Sequence, residues 1–380
     1  MIYLDNAATT FPKPSAVCDG VFRFLVRDGG NPGRGSHALS ARAADCVFSC
    51  REELASLFGV SDLERVFFTM NTTQGINTVL KGLLREGDHV LISDMEHNAV
   101  LRPITKLCNE GRITYDVFPT LVGSPKRDAT HICAGIARLI RPNTRLVVLA
   151  HSSNICSATL PLREIGHFCA RHGILLVVDG AQSAGHKEIS VDEMQITALC
   201  IPGHKGLYGP QGCGAVLLGK DVFLDTLFEG GNGLLSLSGE MPPDAPERYE
   251  AGTLPTPAIA GLLEGVRAVK KMGIDEIDAH HRHLFCLLRD RLSSLPELTL
   301  HASEYEGPVL LFHHARIPSE ALTRILDSKG LCLRGGFHCS ALGHKTLGTP
   351  EGGAVRASFG IYNNSRDVDA LWRTLRDLEQ

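Results

Sequence analysis

One lysine, Lys205, stands in the glycine-rich stretch LCIPGHKGLYGPQGCG, between the strand-like runs TALCI and GAVLL. An amine held among glycines close to a sheet can lose hydration, and its pKa then falls until it becomes a nucleophile. The alternative is an exposed loop lysine. In ILLVVDGAQ, apolar residues lead to Asp179, with Gln182 three positions on. A carboxylate there is partly desolvated and calls for a cationic or protonated partner, unless it caps a helix. In FTMNTTQGIN a strand gives way to Asn71, Thr72 and Thr73 at a helix start, which is either a phosphate seat or an ordinary N-cap. Each piece is weak alone. Together, a phosphate seat, a carboxylate for a pyridinium nitrogen and a lysine for a Schiff base are the parts that pyridoxal 5'-phosphate needs.

These residues need a frame that gathers strand ends. The chain alternates short Val/Leu/Ile runs with helix-like segments: RVFFT then TQGINTVLKGLL, DHVLIS then a polar loop, RLVVLA then HSSN, ILLVVDG then AQSAG. Runs without polar alternation suit strands buried on both faces, so the expected fold class is α/β with a parallel sheet between helices. Ligands in such folds bind at the carboxyl ends of the strands. Ser40 is expected to cap a helix that Gly59 ends, and Ser365 a final helix with Val368, Leu371, Leu375 and Leu378 on one face. After about Leu254 the texture changes to a long helix, two strand-like runs and another helix. The expected division is a large domain over 15–259 and a smaller α+β domain from 1–14 and 260–380.

Composition sets the bounds. At 380 residues, with 43% apolar and 21% charged residues, an ordinary globular protein is expected. A formal net charge of -4 and the lack of a long basic run argue against a nucleic-acid partner. The start, MIYLDNAATTFPKP, has neither the basic head nor the apolar middle of a signal peptide, and no apolar run is long enough to span a bilayer. A cytoplasmic protein without a membrane partner is therefore expected. The 12 cysteines lack paired spacing and suit reduced thiols. HHRH at 280–283 and HH at 313–314 lack the companion ligands of a metal site, and no metal is expected.

Motif order adds a resemblance. YLDNAATT, NPGRGSHALS, TTQGIN, DMEHNA, HSSN, VVDGAQSAGH, GHKGLYGPQGCG, YEAGT, LRGGFHCSAL and VRASFGIYN follow one another nearly end to end. The chain thereby resembles the class V aminotransferase-like enzymes that use pyridoxal phosphate, and within them the cysteine desulfurases. The resemblance implies fold type I, with a mostly parallel central sheet in the large domain and a smaller α+β C-terminal domain. It also implies roles. Lys205 is similar to the Schiff-base lysine, His204 to a phosphate contact, Asp179 to the partner of the ring nitrogen and Gln182 to that of the phenolic oxygen. His97 matches the histidine that stacks on the ring and moves protons. Thr72 and Thr73 match the phosphate seat, and Asn154 lies near the ring oxygen and the substrate carboxylate. Thr253 resembles a residue that reaches the neighbouring subunit's phosphate, which implies a homodimer with shared sites. One position departs from the pattern: Pro202 stands where similar enzymes often carry a Ser or Thr, and proline has neither hydroxyl nor N–H to give.

A desulfurase also needs a thiolate to take the sulfur. Cys339, in RGGFHCSALGH with His338 beside it and Arg334 five residues earlier, occupies the family's nucleophile position. From the residues alone it could be one more buried cysteine. Arg356 resembles the arginine that grips the substrate carboxylate, and Arg334 a second contact to it. The short interval from Cys339 to Arg356 is similar to the SufS/CsdA-like group, which limits the reach of Cys339 and makes a sulfur-acceptor protein a plausible partner. The implied activity is release of sulfur from L-cysteine, giving L-alanine and a persulfide on Cys339. Selenocysteine lyases, which act on L-selenocysteine, share these motifs, and other class V lyases or aminotransferases keep the cofactor. A scaffold without catalysis is a third reading, against which Lys205, Asp179 and His97 all stand intact.

Overall fold

The computed structural model describes residues 1–379 except Arg34, which falls in the NPGRGSHALS motif. Its strands are β1 (Ile2–Tyr3), β2 (Val66–Thr69), β3 (Asp88–Ser93), β4 (Ile113–Phe118), β5 (Thr144–Ala150), β6 (Leu175–Asp179), β7 (Ala198–Pro202), β8 (Gly214–Leu218), β9 (Leu298–His301), β10 (Val309–His314), β11 (Leu331–Cys332), β12 (Arg334–Gly336) and β13 (Ala354–Ser358). Seven of them form the central sheet in the order β2-β8-β7-β6-β5-β3-β4. Strand β8 runs antiparallel to both neighbours, β2 and β7, and the other pairs are parallel. The sheet is α/β and mostly parallel, and its composition explains why.

Alternate residues of one strand serve two cores, as the twofold pleat requires. On β7, Leu199 and Ile201 pack into one apolar cluster, while Ala198 and Cys200 pack into another on the opposite face. Helices cover both. Val47, Leu54 and Phe58 belong to the first cluster, and Ile76, Val79, Leu80 and Val100 to the second.

Because only β8 is reversed, the carboxyl ends of β2, β3, β5, β6 and β7 all emerge at one edge of the sheet. Those five ends carry the polar residues read from the sequence. Strand β8 begins at that same edge, with Gly214 opposite both Thr69 and Pro202. A Cβ at Gly214 would lie 2.6 Å from the Ile201 carbonyl and 3.3 Å from Asn71, so this close approach needs glycine.

A second, antiparallel sheet has the order β12-β13-β10-β9, and β1 pairs in parallel with β11. Its core joins Leu310, Phe312 and Val355 to Phe285 and Leu288 of the helix Ile274–Leu292 and to Val368, Leu371 and Leu375 of the helix Ser365–Leu378. No helix among the described residues is long and apolar enough to cross a membrane.

Two helix starts differ from expectation. His37, not Ser40, caps the helix Ala38–Leu57, its ring accepting from the Ser40 N–H, and the Ser40 hydroxyl donates instead to the Asn31 carbonyl. Asn364, not Ser365, caps the last helix, because Asp367 completes a capping box by accepting from the Asn364 N–H.

Candidate active site

The strand ends converge on a cleft with about 520 Å³ of empty space, part of it open to solvent. Thr72, Thr73, His97, Asn154, Asp179, Gln182, His204 and Lys205 all line it, as does Pro202. Cys339, Arg334, Arg356 and Thr253 do not.

Lys205 follows β7 in a loop tied on both sides. Gly203 N–H donates to Cys213 O, Gly209 N–H to Gly203 O and Tyr208 N–H to Lys205 O, each at 2.8 Å. From across the cleft wall, Lys13 Nζ donates to the His204 carbonyl at 2.7 Å and Thr10 Oγ1 to the Lys205 carbonyl at 3.0 Å. A Cβ at Gly206 would meet the Ala184 carbonyl at 2.2 Å, so the residue after the lysine must be glycine for the loop to sit this close. Burial pulls the Lys205 amine down to about 8, against the opposing pull of Asp179; Arg356 and Arg334 add to the lowering. The amine is then half neutral near pH 8. Trapping of pyridoxal by borohydride on the cofactor-free protein should rise about tenfold per pH unit below 7.5 and level off above 8.5. A rate still climbing past pH 9.5 would mean an ordinary lysine.

The fit of pyridoxal phosphate can be judged from the donors. Helix Thr72–Leu83 points its amino end into the cleft, with Asn71 capping it through Gln74 N–H. The Thr72 hydroxyl and His204 Nδ1 are buried there with no hydrogen-bond partner in the protein. Unmet polar atoms at a positive helix end suit an anion. Pro202 adds no donor, and Gly203 makes the backbone bond to Cys213. Farther along the edge, Asp179 is buried, and Oδ1 accepts from Ala181 N–H at 2.9 Å. Burial raises its pKa, with Ala181 and Lys205 pulling the other way, so a protonated ring nitrogen is the partner that would keep it ionised. Gln182 spends one amide hydrogen on Ala7 O at 2.9 Å and has a second to offer. An anion seat, a buried carboxylate and a low-pKa amine along one edge fit the cofactor.

His97 caps the helix Asn98–Asn109, its Nδ1 accepting from Ala99 N–H at 3.0 Å. A neutral ring with Nδ1 accepting carries its proton on Nε2. Burial lowers its pKa to about 4, with the nearby Lys205, Arg334 and Arg356 adding to the effect. At neutral pH His97 is thus an uncharged face with an N–H to give.

Beside it, Glu96 is fully buried, and burial pushes its carboxyl up to about 8, opposed by hydrogen bonds from Ser93 and Ala150. That neutral acid ties the ends of β3 and β5 together. Nothing in the sequence singled it out.

The sulfur-acceptor candidate sits on a neighbouring wall. Cys339 is exposed, and its carbonyl accepts from Asn98 N–H at 2.8 Å, one residue from His97. The His338 carbonyl accepts from Asn154 Nδ2 at 2.7 Å. His338 itself is no base for the thiol. Its ring faces the Arg334 carbonyl and His344.

Arg356 is 1% exposed. It donates to the Asn154 carbonyl at 2.8 Å and to Asp5 Oδ1 at 2.6 Å, while its Nε is buried without a partner. Asp5, in the YLDNAATT motif, is thus the counter-ion that the sequence reading lacked. Arg334 is exposed and pairs with Arg356 across β12 and β13. Thr253 lies exposed in the loop before the helix Thr256–Met272, away from the cleft. HHRH lies in the helix Ile274–Leu292 and the pair at 313–314 in β10; among the described residues no group of three or more His, Cys, Asp or Glu is placed to hold a metal ion.

Known proteins similar to this chain share its length and its fold. Over 100% of its length the chain is 31% identical to a probable cysteine desulfurase of Halalkalibacterium halodurans, of which it covers 93%. It is 31% identical, over 98% of this chain and 91% of the relative, to a cysteine desulfurase of Salmonella typhi. Among solved structures, the apo cysteine desulfurase of Thermococcus onnurineus aligns with a TM-score of 0.88 at 28% identity, over 99% of this chain and 94% of that one. The cysteine desulfurase CsdA of Escherichia coli gives 0.87 at 28% identity, again over 99% and 94%. The family model for class V aminotransferases matches residues 2–371, and with these motifs, this sheet and these relatives the chain belongs to the class V aminotransferase family.

Proposed function

We propose that this protein is a pyridoxal-phosphate-dependent L-cysteine desulfurase that yields L-alanine and a persulfide on Cys339, later passed to an acceptor. The observation that carries the reading is the convergence of Lys205, Asp179 and the Thr72 helix end in one cleft, flanked by an exposed Cys339. The relatives' names point the same way. Thr72, Thr73 and His204 would hold the phosphate, Asp179 the ring nitrogen, Gln182 and Asn154 the phenolic oxygen, and Lys205 the aldehyde carbon. When bound, the cofactor supplies an electron sink next to the substrate's Cα.

The chain's own residues do the rest. Arg356, with Arg334 and Asn154, orients the substrate carboxylate, and the Asp5 carboxylate holds the Arg356 fork in place. Lys205, once its amine is free, moves the proton at the substrate's Cα, and a pKa near 8 suits that task. His97 would lie against the ring of the bound cofactor, with its Nε2 proton free to donate. The Cys339 thiolate attacks the substrate sulfur, so that an S–S bond forms as the C–S bond breaks, and the carbon takes a proton to become the alanine methyl group.

We infer a large domain over 15–259 that binds the cofactor and a small one from 1–14 and 260–380, for which the pairing of β1 with β11 speaks. We also infer a homodimer in which Thr253 reaches the partner's phosphate site, in a cytoplasmic protein that hands its sulfur to an acceptor protein. Exposed Phe48, Leu234 and Leu237 favour a covered face.

The test is to supply the purified holoenzyme with L-cysteine or L-selenocysteine and measure alanine with sulfide or selenide. Alanine from L-cysteine is expected. Alanine from L-selenocysteine alone would make the protein a selenocysteine lyase, and none from either would end both readings.

A further inference from the structure

The segment that carries Cys339 is closed by two imidazoles. His338 Nε2 lies 3.0 Å from the Arg334 carbonyl, His338 Nδ1 lies 3.3 Å from His344 Nε2, and His344 Nδ1 lies 2.8 Å from Thr349 Oγ1. Both rings are buried, and their planes differ by only 9°. The partners assign the protons. A carbonyl only accepts, so His338 carries its proton on Nε2 and accepts at Nδ1. His344 must then donate from Nε2 and accept at Nδ1 from the Thr349 hydroxyl, whose other acceptor, the His344 carbonyl, is farther off at 3.4 Å. The chain of bonds therefore runs one way, from Thr349 through His344 and His338 to Arg334.

This direction requires both rings to be neutral. Burial lowers His338 to about 3, helped by the Arg356, His344 and Arg334 side chains and opposed by the Arg334 carbonyl, and burial lowers His344 to about 4, helped by His301 of β9 and opposed by the Phe337 carbonyl. His301 in turn meets His313 of β10 at 2.9 Å. The side-chain neighbours are cationic when charged, and with burial they outweigh the two carbonyls and disfavour a second proton on the pair.

The backbone shows what the chain of bonds has to hold. His338 and Cys339 are consecutive non-glycine residues in the left-handed region, at φ 51° and 57°. Side-chain-bearing residues seldom adopt that conformation, and it persists where surrounding contacts over-determine it. Outside ties come from Asn98 to the Cys339 carbonyl and from Asn154 to the His338 carbonyl.

We propose that His344 is a positioning residue: with Thr349 and His338 it forms a one-way chain of hydrogen bonds that closes segment 334–349 and fixes the strained backbone from which Cys339 projects. The proposal rests on the reading of Cys339 as sulfur acceptor, but its test does not depend on turnover alone.

Hydrogen–deuterium exchange at amides 337–344 should be compared in the holoenzyme for wild type, Thr349→Val, His344→Leu and His344→Gln, together with the kcat and KM of alanine formation. Thr349→Val and His344→Leu should each speed exchange in this segment by about tenfold. They should lower kcat while KM for L-cysteine stays within about twofold. His344→Gln should behave as wild type, since its amide can donate to His338 and accept from Thr349. If His344→Leu does not fold, Thr349→Val, nearly isosteric and only partly buried, decides the matter. Unchanged exchange in Thr349→Val would overturn the proposal, as would exchange in His344→Gln as fast as in His344→Leu. A wild type that makes no alanine would sink the desulfurase reading, while the exchange comparison would still decide this one.

Discussion

Lys205→Ala should lower alanine formation from L-cysteine by about 10³-fold or more, because the proposed function gives one side chain both the covalent anchor and the proton-transfer base. The anchor's loss has its own readout. Borohydride should fix the cofactor to wild-type protein and leave none fixed to the variant. Cofactor should still bind noncovalently, since Thr72, Thr73, His204 and Asp179 remain along the same edge. Lys205→Arg should be nearly as inactive: guanidinium keeps the charge but stays protonated where the lysine amine, drawn down to about 8 by burial, does not. Substantial activity in either variant would remove Lys205 from the chemistry.

The second large effect separates the cofactor chemistry from the sulfur chemistry. Cys339→Ser should bind cofactor as wild type does and keep KM for L-cysteine within about threefold, yet lose roughly 10²-fold or more in kcat. A hydroxyl in place of the thiol gives no comparable nucleophile near neutral pH. His338 cannot rescue it, because both of its ring nitrogens are engaged with Arg334 and His344. The substitution is at an exposed position, so folding should be unaffected. If the variant loses L-cysteine turnover but keeps L-selenocysteine turnover, the assignment moves to a selenocysteine lyase.

The cleft was legible because its residues follow short apolar runs. Asp179 at the end of LLVVD, Lys205 after ALCIP and Thr72 after VFFT are each placed by a buried strand, and parallel strands bring their carboxyl ends to one edge. The direction of β8 was not legible, since GAVLL reads alike in either orientation. Side-chain pairing across long separations was equally hidden. Asp5 and Arg356 meet although 351 positions apart, and no local pattern announces it.

The helix starts failed for a different reason. In each case a nearby serine fits the cap pattern, whereas His37 and Asn364, immediately ahead of the observed helices, do the capping. His344 and Glu96 went unread because a buried histidine and a buried acid look like surface residues until their partners are known. Thr253 remains outside the cleft of its own chain, where its inferred role depends on a second copy.

The central claim is that this cleft delivers the sulfur of L-cysteine to Cys339. The most direct measurement is a single exposure of the holoenzyme to one equivalent of L-cysteine, without acceptor or reductant, followed by quantification of alanine and mass analysis of the peptide that contains Cys339. Alanine in stoichiometric yield is expected, with a gain of one sulfur atom on that peptide that a thiol reductant releases. Alanine formed with the Cys339 peptide unchanged, or with sulfur on a different cysteine, would contradict it.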